Sequence, residues 1–157
     1  MEMTDLQTKL LGELRYAERL CQRSARLYRR VQACTTFVTI VGGSAAASNV
    51  FAATPPWLVI AGALAFTIFG AISLAVRPAD KAAQNEQEAK RYAALRARAS
   101  SLDGDALQQA LDDLRVSDAA EIEPLRDVAY NDVVIELGQP QYVVPLRWHQ
   151  RLASALG

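Results

Sequence analysis

The side chains best suited to acid–base or metal chemistry are few in this sequence. It contains one histidine, His149, and two cysteines, Cys21 and Cys34, which lack the CxxC spacing of metal and redox motifs. A lone histidine in a basic amphipathic helix is far more often a surface side chain than a ligand or a catalytic base. The sequence has no Walker loop and no GxGxxG, HExxH or GxSxG motif. We therefore expect no enzymatic activity, no catalytic residue, no metal site and no cofactor.

A second set of residues could act on ions or on neighbouring helices. These small and hydroxylated side chains fall on one face of a predicted helix within a long uncharged run. If several copies surround an axis, this face lines a polar path through a membrane; otherwise it only packs, which is the commoner role for any single residue. No ionised group lies in the run, so no charged ring would set ion selectivity. The face consists of Gln32, Thr35, Thr36, Thr39, Gly43 and Ala46.

The uncharged run extends from Val31 to Val76 and contains no Asp, Glu, Lys or Arg. As one α-helix it would be about 69 Å long, more than twice the roughly 30 Å of bilayer hydrocarbon. Pro55 and Pro56 remove two backbone donors and disfavour a helix just before them. The pattern predicts a tight hairpin of two transmembrane helices, residues 31–51 and 57–76. Trp57 would mark the outer interface of the membrane, where indole rings prefer to lie.

Basic residues lie on both sides of the run and are absent from its predicted loop. By the positive-inside rule, both termini face the cytoplasm and the hairpin lies in the inner (cytoplasmic) membrane. The charged first thirty residues lack the apolar core of a secretory signal, so we expect the first span to be retained. The membrane-flanking residues are Arg26, Arg29, Arg30, Trp57 and Arg77.

The segments outside the hairpin predict helices. Residues 1–30 have an amphipathic period and can continue into the first span. Residues 77–157 predict a cytosolic helical region, with helices at about 78–101, 105–115 and 124–137 and a final one after Pro145. No segment alternates long enough for a strand, so the expected fold is an all-α membrane protein: a two-transmembrane hairpin, an N-terminal helix and a C-terminal cytosolic helical bundle.

Two packing arrangements follow from this layout. The segment 78–101 carries a stripe of small side chains, with Ala82, Ala89 and Ala93 beside Tyr92 and Leu95, which lets the N-terminal helix approach closely. The last helix has an apolar face, and this face could lie on the inner leaflet or pack in the cytosolic bundle. The bundle is favoured because two arginines make a weak electrostatic anchor. That face is formed by Leu146, Trp148, Leu152 and Leu156, opposite Arg147 and Arg151.

The whole chain carries no net charge, with 17 basic and 17 acidic residues. It has no basic patch interleaved with aromatics, so we expect no nucleic-acid partner. The expected partners are the lipid bilayer and further copies of the chain in a homo-oligomer.

The order of these features resembles the SLATT family of two-transmembrane effectors, which accompany nucleotide-second-messenger enzymes in bacterial conflict systems. The resemblance rests on the N-terminal charged helix, the hairpin, the stretch EAKRYAALRARA (88–99) and the stretch IEPLRDVAYNDV (122–133). It implies a membrane effector of antiphage defence that oligomerises and permeabilises the inner membrane. It also implies a trigger from a cytosolic sensor or a nucleotide-second-messenger partner protein. It supplies no functional residue.

Two other functions fit the same layout. A phage holin-like protein shares two spans and a cytosolic C-terminus, although the extensive cytosolic region exceeds what a holin needs. A non-conducting membrane scaffold would use its cytosolic bundle to bind another protein. The sequence predicts self-association for the effector, whether its polar face lines a pore or only packs.

Overall fold

The computed structural model of the chain describes residues 5–47, 56–116 and 122–157, and every regular element in these ranges is helical. The side chains of residues 43–47, 56, 58, 59 and 61 lie outside the description, as does the predicted loop before Trp57. The six α-helices are α1 (Asp5–Ala47), α2 (Pro56–Val76), α3 (Pro78–Arg98), α4 (Gly104–Arg115), α5 (Glu123–Glu136) and α6 (Trp148–Leu156).

Local sequence signals account for most of the helix ends. The Asp103 carboxylate accepts a hydrogen bond from the Ala106 amide at 2.7 Å and so caps α4. Pro124 lies in the first turn of α5, where its missing N–H costs least. After α5, Gly138 has a φ of 70°, the left-handed conformation that glycine adopts most readily. The helical segments predicted at 105–115, 124–137 and 57–76 are confirmed to within a residue at each end.

The described chain divides into two compact units. The first, which we call the helical bundle, comprises Met1–Leu27 and Lys81–Gly157. The second, which we call the apolar unit, comprises Tyr28–Asp80. Helix α1 contributes residues to both units, so the N-terminal helix and the first predicted span belong to one continuous helix, as the absence of proline between them predicted.

In the helical bundle, α1 has buried side chains on two sides. On one side its leucines pack with the small-residue stripe of α3 and with α4, which confirms the packing predicted for Ala89, Tyr92 and Leu95. On the other side Leu20 packs with Leu125 and Ala129 of α5. The larger core cluster consists of Leu10, Leu14, Cys21, Ala89, Tyr92, Leu95, Ala99, Leu107 and Leu111.

Helix α6 packs in the bundle, but the face predicted to be buried there is exposed. Trp148 is 74% exposed and Leu152 is 57% exposed. The side of α6 that meets the bundle carries Gln150, which is buried, and Ala153, which packs against the Leu20 cluster. The prediction that α6 buries its apolar face was wrong because a buried glutamine with two hydrogen bonds, described below, fixes the opposite side of the helix to α5.

In the apolar unit, α2 is apolar on all sides and exposed along most of its length. The described stretch Gly62–Ser101, which begins in α2 and runs on through α3, contains an 18-residue window apolar enough to cross a membrane, and 6% of that window is buried. A core helix of a water-soluble domain of similar composition would be largely buried. The structure thus contains an all-α chain with one helix suited to a membrane.

Candidate functional site

Two of the predicted stripe residues satisfy their hydroxyl groups within α1. The Thr35 hydroxyl donates to the Gln32 carbonyl at 2.9 Å, and the Thr39 hydroxyl donates to the Thr35 carbonyl at 2.8 Å. Back-bonding of this kind gives a threonine hydroxyl an acceptor within its own helix. These two donors therefore need neither water nor a second helix.

The stripe does not form one uniform surface. Thr35 is 2% exposed, whereas Thr36 and Thr39 are exposed. The Gln32 amide donates to the Thr36 hydroxyl at 3.2 Å, a pairing one helical turn apart. Of the four described members, Thr36 and Thr39 are therefore the most accessible to lipid, water or a second copy, Gln32 is partly accessible and Thr35 is buried. The side chains of Gly43 and Ala46, the other two predicted members, lie outside the description.

A contact between α1 and α2 within the apolar unit involves a glycine that the stripe did not include. A Cβ atom added to Gly42 would lie 3.0 Å from Cδ2 and 3.4 Å from Cβ of Phe66. Glycine at this position lets the α1 backbone approach an aromatic side chain of α2 closely, as small residues do between membrane helices. The sequence signal for it was the pair Gly42–Gly43 in an otherwise helical segment, but sequence alone does not give the partner.

The residues predicted to flank the membrane have exposed side chains. Arg26, Arg29 and Arg30 are exposed, and Trp57 is 67% exposed. Exposure suits side chains that would contact lipid headgroups.

Arg77, the last flanking residue, lies at the junction of α2 and α3. Its φ of 49° places a non-glycine residue in the left-handed region, directly before Pro78. Because a residue before proline is disfavoured in the α-helical conformation, α2 ends here rather than continuing. The Arg77 amide still donates to the Ser73 carbonyl at 3.1 Å, and its guanidinium pairs with Asp80 at 2.9 Å.

In the bundle, charged residues of α1 pair with each of three neighbouring helices. Glu18 pairs with Arg96 of α3 at 2.9 Å, and Glu13 pairs with Arg115 of α4 at 2.8 Å. Arg19 donates to Glu136 of α5 at 2.7 Å. Sequence analysis placed the α1 charges between its apolar positions, but it could not find these partners, which are distant in the sequence.

A fourth ion pair, between Arg23 of α1 and Asp132 of α5, also reaches α6. The Arg23 Nε and Nη2 atoms donate to the two Asp132 carboxylate oxygens at 2.8 and 2.9 Å. The third nitrogen, Nη1, donates to the Ser154 carbonyl at 3.3 Å. One guanidinium therefore connects α1, α5 and α6 with the bidentate geometry that makes Arg–carboxylate pairs strong.

The pairing of Arg19 with Glu136 shifts the pKa of both groups in the direction that favours their charged forms. Two hydrogen bonds from the guanidinium stabilise the carboxylate, which lowers the pKa of Glu136 below its ordinary value. The same hydrogen bonds raise the pKa of Arg19, so both groups are charged at neutral pH.

An open cleft of about 760 Å³ lies where α5 and α6 begin. Its charged side chains are mostly engaged with neighbours: Arg126 lies 3.3 Å from Glu123, and Gln150 donates to Asp127 at 2.6 Å. His149 also lines the cleft, and its ring meets Trp148 edge-on with 5.6 Å between the ring centroids. Among the described residues, no three His, Cys, Asp or Glu side chains are grouped as metal ligands would be. The cleft is therefore lined by polar and charged side chains that mostly pair with one another.

Comparison of the chain with protein-family models, with curated proteins and with solved structures finds no match. The functional interpretation therefore depends on this chain's own helices: an exposed apolar helix, a polar face on the helix beside it, and a bundle held together by buried leucines and ion pairs.

Proposed function

We propose that this chain is an inner-membrane effector. In this proposal, residues 31–51 and 57–76 form a two-span hairpin with both termini in the cytoplasm, and several copies assemble and permeabilise the membrane when a cytosolic sensor or a second-messenger partner protein is triggered. The observation that carries the proposal is the exposed apolar surface of α2.

Large apolar side chains project from every side of α2. At 100° per residue, Ile60, Leu64, Ile68 and Phe69 cover about half of the helix circumference, and Phe66 and Leu74 lie on the other half. Each is exposed, from 36% for Phe69 to 82% for Leu74. Contact with water over this surface would cost about 25 cal/mol per Å². Acyl chains or further copies of the chain remove that cost.

The helical bundle supports the part of the proposal that places residues outside the hairpin in the cytoplasm. Its core is enclosed by α1, α3, α4 and α5, and ion pairs such as Glu13–Arg115 and Arg19–Glu136 face solvent. A unit of this kind suits water, so the chain has one unit suited to lipid and another suited to the cytosol.

Permeabilisation requires a polar surface that several copies can share. The exposed Thr36 and Thr39 are the described residues of the predicted face that could supply it. Because the Thr39 hydroxyl already donates within α1, its oxygen remains able to accept a hydrogen bond from water in a pore. The resemblance to SLATT effectors supports a killing or arresting outcome for the cell.

Dye leakage from liposomes that contain the purified chain tests this proposal. We expect leakage that rises with protein density or with addition of the companion sensor. The double variant Thr36→Val and Thr39→Val should insert normally but leak several-fold less, since valine keeps the shape and removes the hydroxyl. The matched control is Thr67→Val on α2, whose hydroxyl donates to the Ala63 carbonyl at 2.9 Å in the same way.

The outcomes separate the alternatives. Vesicles that stay intact at high protein density, with and without the sensor, would refute permeabilisation and favour the non-conducting scaffold, especially if the bundle formed a stable complex with a cytosolic protein. Leakage with no sensor, in a gene neighbourhood of lysis functions, would favour the holin-like alternative. Equal leakage by all threonine variants would assign Thr36 and Thr39 to packing alone.

A further inference from the structure

Helix α6 is fixed to the bundle by its polar side. Gln150 is buried, its side-chain nitrogen donates to Asp127 at 2.6 Å, and its side-chain oxygen accepts from the Arg147 amide at 2.8 Å. At the other end of the helix, a Cβ atom added to Gly157 would lie 3.1 Å from the Arg23 carbonyl oxygen, so only glycine fits there without a shift. These contacts at both ends fix the rotation of α6 about its axis.

That rotation turns the apolar side of α6 away from the bundle. With 100° per residue, Trp148, Leu152 and Leu156 fall within about 80° of one another, opposite Gln150 and Gly157. They are 74%, 57% and 48% exposed. We call this surface the outer face of α6. A helix whose only role was to close the bundle would bury its tryptophan and leucines.

The charges around the outer face indicate what covers it. Arg151 is exposed about 60° from Trp148, at the edge of this face, Arg147 is exposed at the N-terminal end of the helix, and residues 145–157 contain no Asp or Glu. Tryptophan, leucine and arginine without acidic residues form the pattern of a helix that lies in the headgroup region of a membrane. The arginines complement anionic headgroups, each with an attraction that disappears over neutral lipid.

We propose that the outer face of α6 binds the anionic lipid surface of the membrane that carries the chain. The inference rests on the proposed membrane location, because a chain anchored by α2 holds its bundle at a high effective concentration near the bilayer. Trp148 and Leu152 enter the boundary between headgroups and acyl chains, and Arg151 contacts lipid phosphates. The bundle thus gains a second, reversible attachment to the membrane.

Tryptophan fluorescence of the full chain tests the proposal. The sequence has two tryptophans, so the variant Trp57→Phe leaves Trp148 as the single fluorophore. The protein is reconstituted in liposomes of phosphatidylcholine alone or with phosphatidylglycerol, each with and without brominated acyl chains. We expect Trp148 to be quenched by bromine in the anionic liposomes and to be accessible to aqueous acrylamide in the neutral ones.

Variants in the same background identify the contacts. Leu152→Gln should lower the ratio of docked to undocked bundle by about fivefold, since its apolar contact is lost. Arg151→Gln should lower the ratio by about fivefold in anionic lipid and leave it unchanged in neutral lipid. The matched control is Ile135→Gln on α5, a residue that is 59% exposed and lies outside the outer face, and it should change nothing.

The results also distinguish this proposal from the membrane location itself. Integral insertion is measured separately, by resistance to alkaline extraction. A chain that inserts but whose Trp148 stays accessible to acrylamide in anionic lipid would overturn the lipid contact alone. Protection of Trp148 that rises with protein density, without quenching by bromine, would overturn it in favour of a second copy. A chain that floats with anionic vesicles through Trp148 but is extracted by alkali would keep the lipid contact and overturn the hairpin.

Discussion

Arg23 is the residue on which three helices of the bundle converge. Its side chain is 19% exposed and that of Asp132 is 28% exposed, so the pair is only partly screened by water. Arg23→Ala would leave the Asp132 carboxylate without its two donors and would also remove the bond to the Ser154 carbonyl. We expect a loss of about 2 kcal/mol in the free energy of unfolding, measured by circular dichroism in detergent.

Two further variants show whether geometry or charge matters at this position. Arg23→Lys keeps the charge but loses the fork of donors, so it should recover less than half of the lost stability. Lys90→Ala removes an exposed pair with Glu86, 3.4 Å long, and should be nearly neutral. An Arg23→Ala variant as stable as Lys90→Ala would contradict the structural role of the pair.

Glu136 gives the bundle an acid-sensitive contribution. Its pKa is lowered in the folded protein from the ordinary 4.5, chiefly by hydrogen bonds from Arg19. The contribution is therefore fully present above pH 4.5 and is lost as the pH falls through the lower, folded value. Because both side chains are more than a third exposed, it amounts to no more than about 0.5 kcal/mol.

Thermal melting of the wild-type chain and of Glu136→Gln between about pH 7 and pH 3 measures this contribution. The wild type should be slightly more stable at neutral pH, and the two curves should converge in acid. A difference that persisted or grew in acid would show that the Glu136 side chain stabilises the bundle by packing rather than by charge.

At the scale of the elements, the contact of Gly42 with Phe66 sets how closely α1 and α2 approach. Gly42→Leu would force a branched side chain into a space where a single Cβ atom already lies 3.0 Å from the Phe66 ring. We expect the helix pair in the apolar unit to separate, at a cost of about 1–3 kcal/mol. Crosslinking of cysteines introduced into the two helices should fall several-fold.

Gly62 and Gly70 provide matched controls for this change. Both lie on α2, and a Cβ atom added to either meets nothing within 4 Å. Gly62→Leu and Gly70→Leu should therefore leave the crosslinking unchanged. Equal losses from all three variants would point to lipid or self-association, and not to the Phe66 contact, as the cause.

The sequence predicted the positions of the helices better than their rotation. Helix ends depend on local chemistry, such as the Asp103 cap, Pro124 and Gly138, which can be recognised in a short window. The rotation of α6 depends on a bond between Gln150 and Asp127, residues on different helices, and on the lack of space at Gly157. A prediction from amphipathicity alone therefore buried Trp148 in the bundle, whereas the structure exposes it.

For the candidate functional residues too, the sequence predicted their positions along a helix better than their surroundings. The stripe of Gln32, Thr35, Thr36 and Thr39 is visible as a helical period, but the exposure of its members differs because burial depends on neighbours from other segments. Similarly, the amphipathic period of residues 1–30 did not give the partners of the α1 charges, and Glu13, Glu18 and Arg23 pair with three other helices. A periodic pattern gives the direction of a side chain and not the identity of its partner.

For the whole molecule, the number of membrane crossings decides whether the two sequence segments of the bundle lie on the same side of the membrane. If the apolar unit crosses the membrane twice, the bundle, which contains residues from before and after that unit, must lie entirely on one side. For the proposed two spans, the positive-inside rule predicts that this side is the cytoplasm, because Arg26, Arg29 and Arg30 precede the first span and Arg77 follows the second. A single crossing would instead separate the two parts of the bundle, whose shared core includes Leu14 and Tyr92.

Reporter fusions measure this topology. Green fluorescent protein fused after Gly157 should fluoresce, and alkaline phosphatase fused at the same point should be inactive, whereas alkaline phosphatase inserted after Ala53 should be active. Replacing Arg26, Arg29 and Arg30 with Gln and introducing lysine at Ala52 and Ala53 should yield a mixed population, because the difference in basic residues between the two sides is then much smaller. Active alkaline phosphatase after Gly157 in the native sequence would mean a single crossing or an inverted hairpin. Because one crossing would place α1 and α3 on opposite sides of the membrane, the core that they share could then form only in a chain that is not inserted.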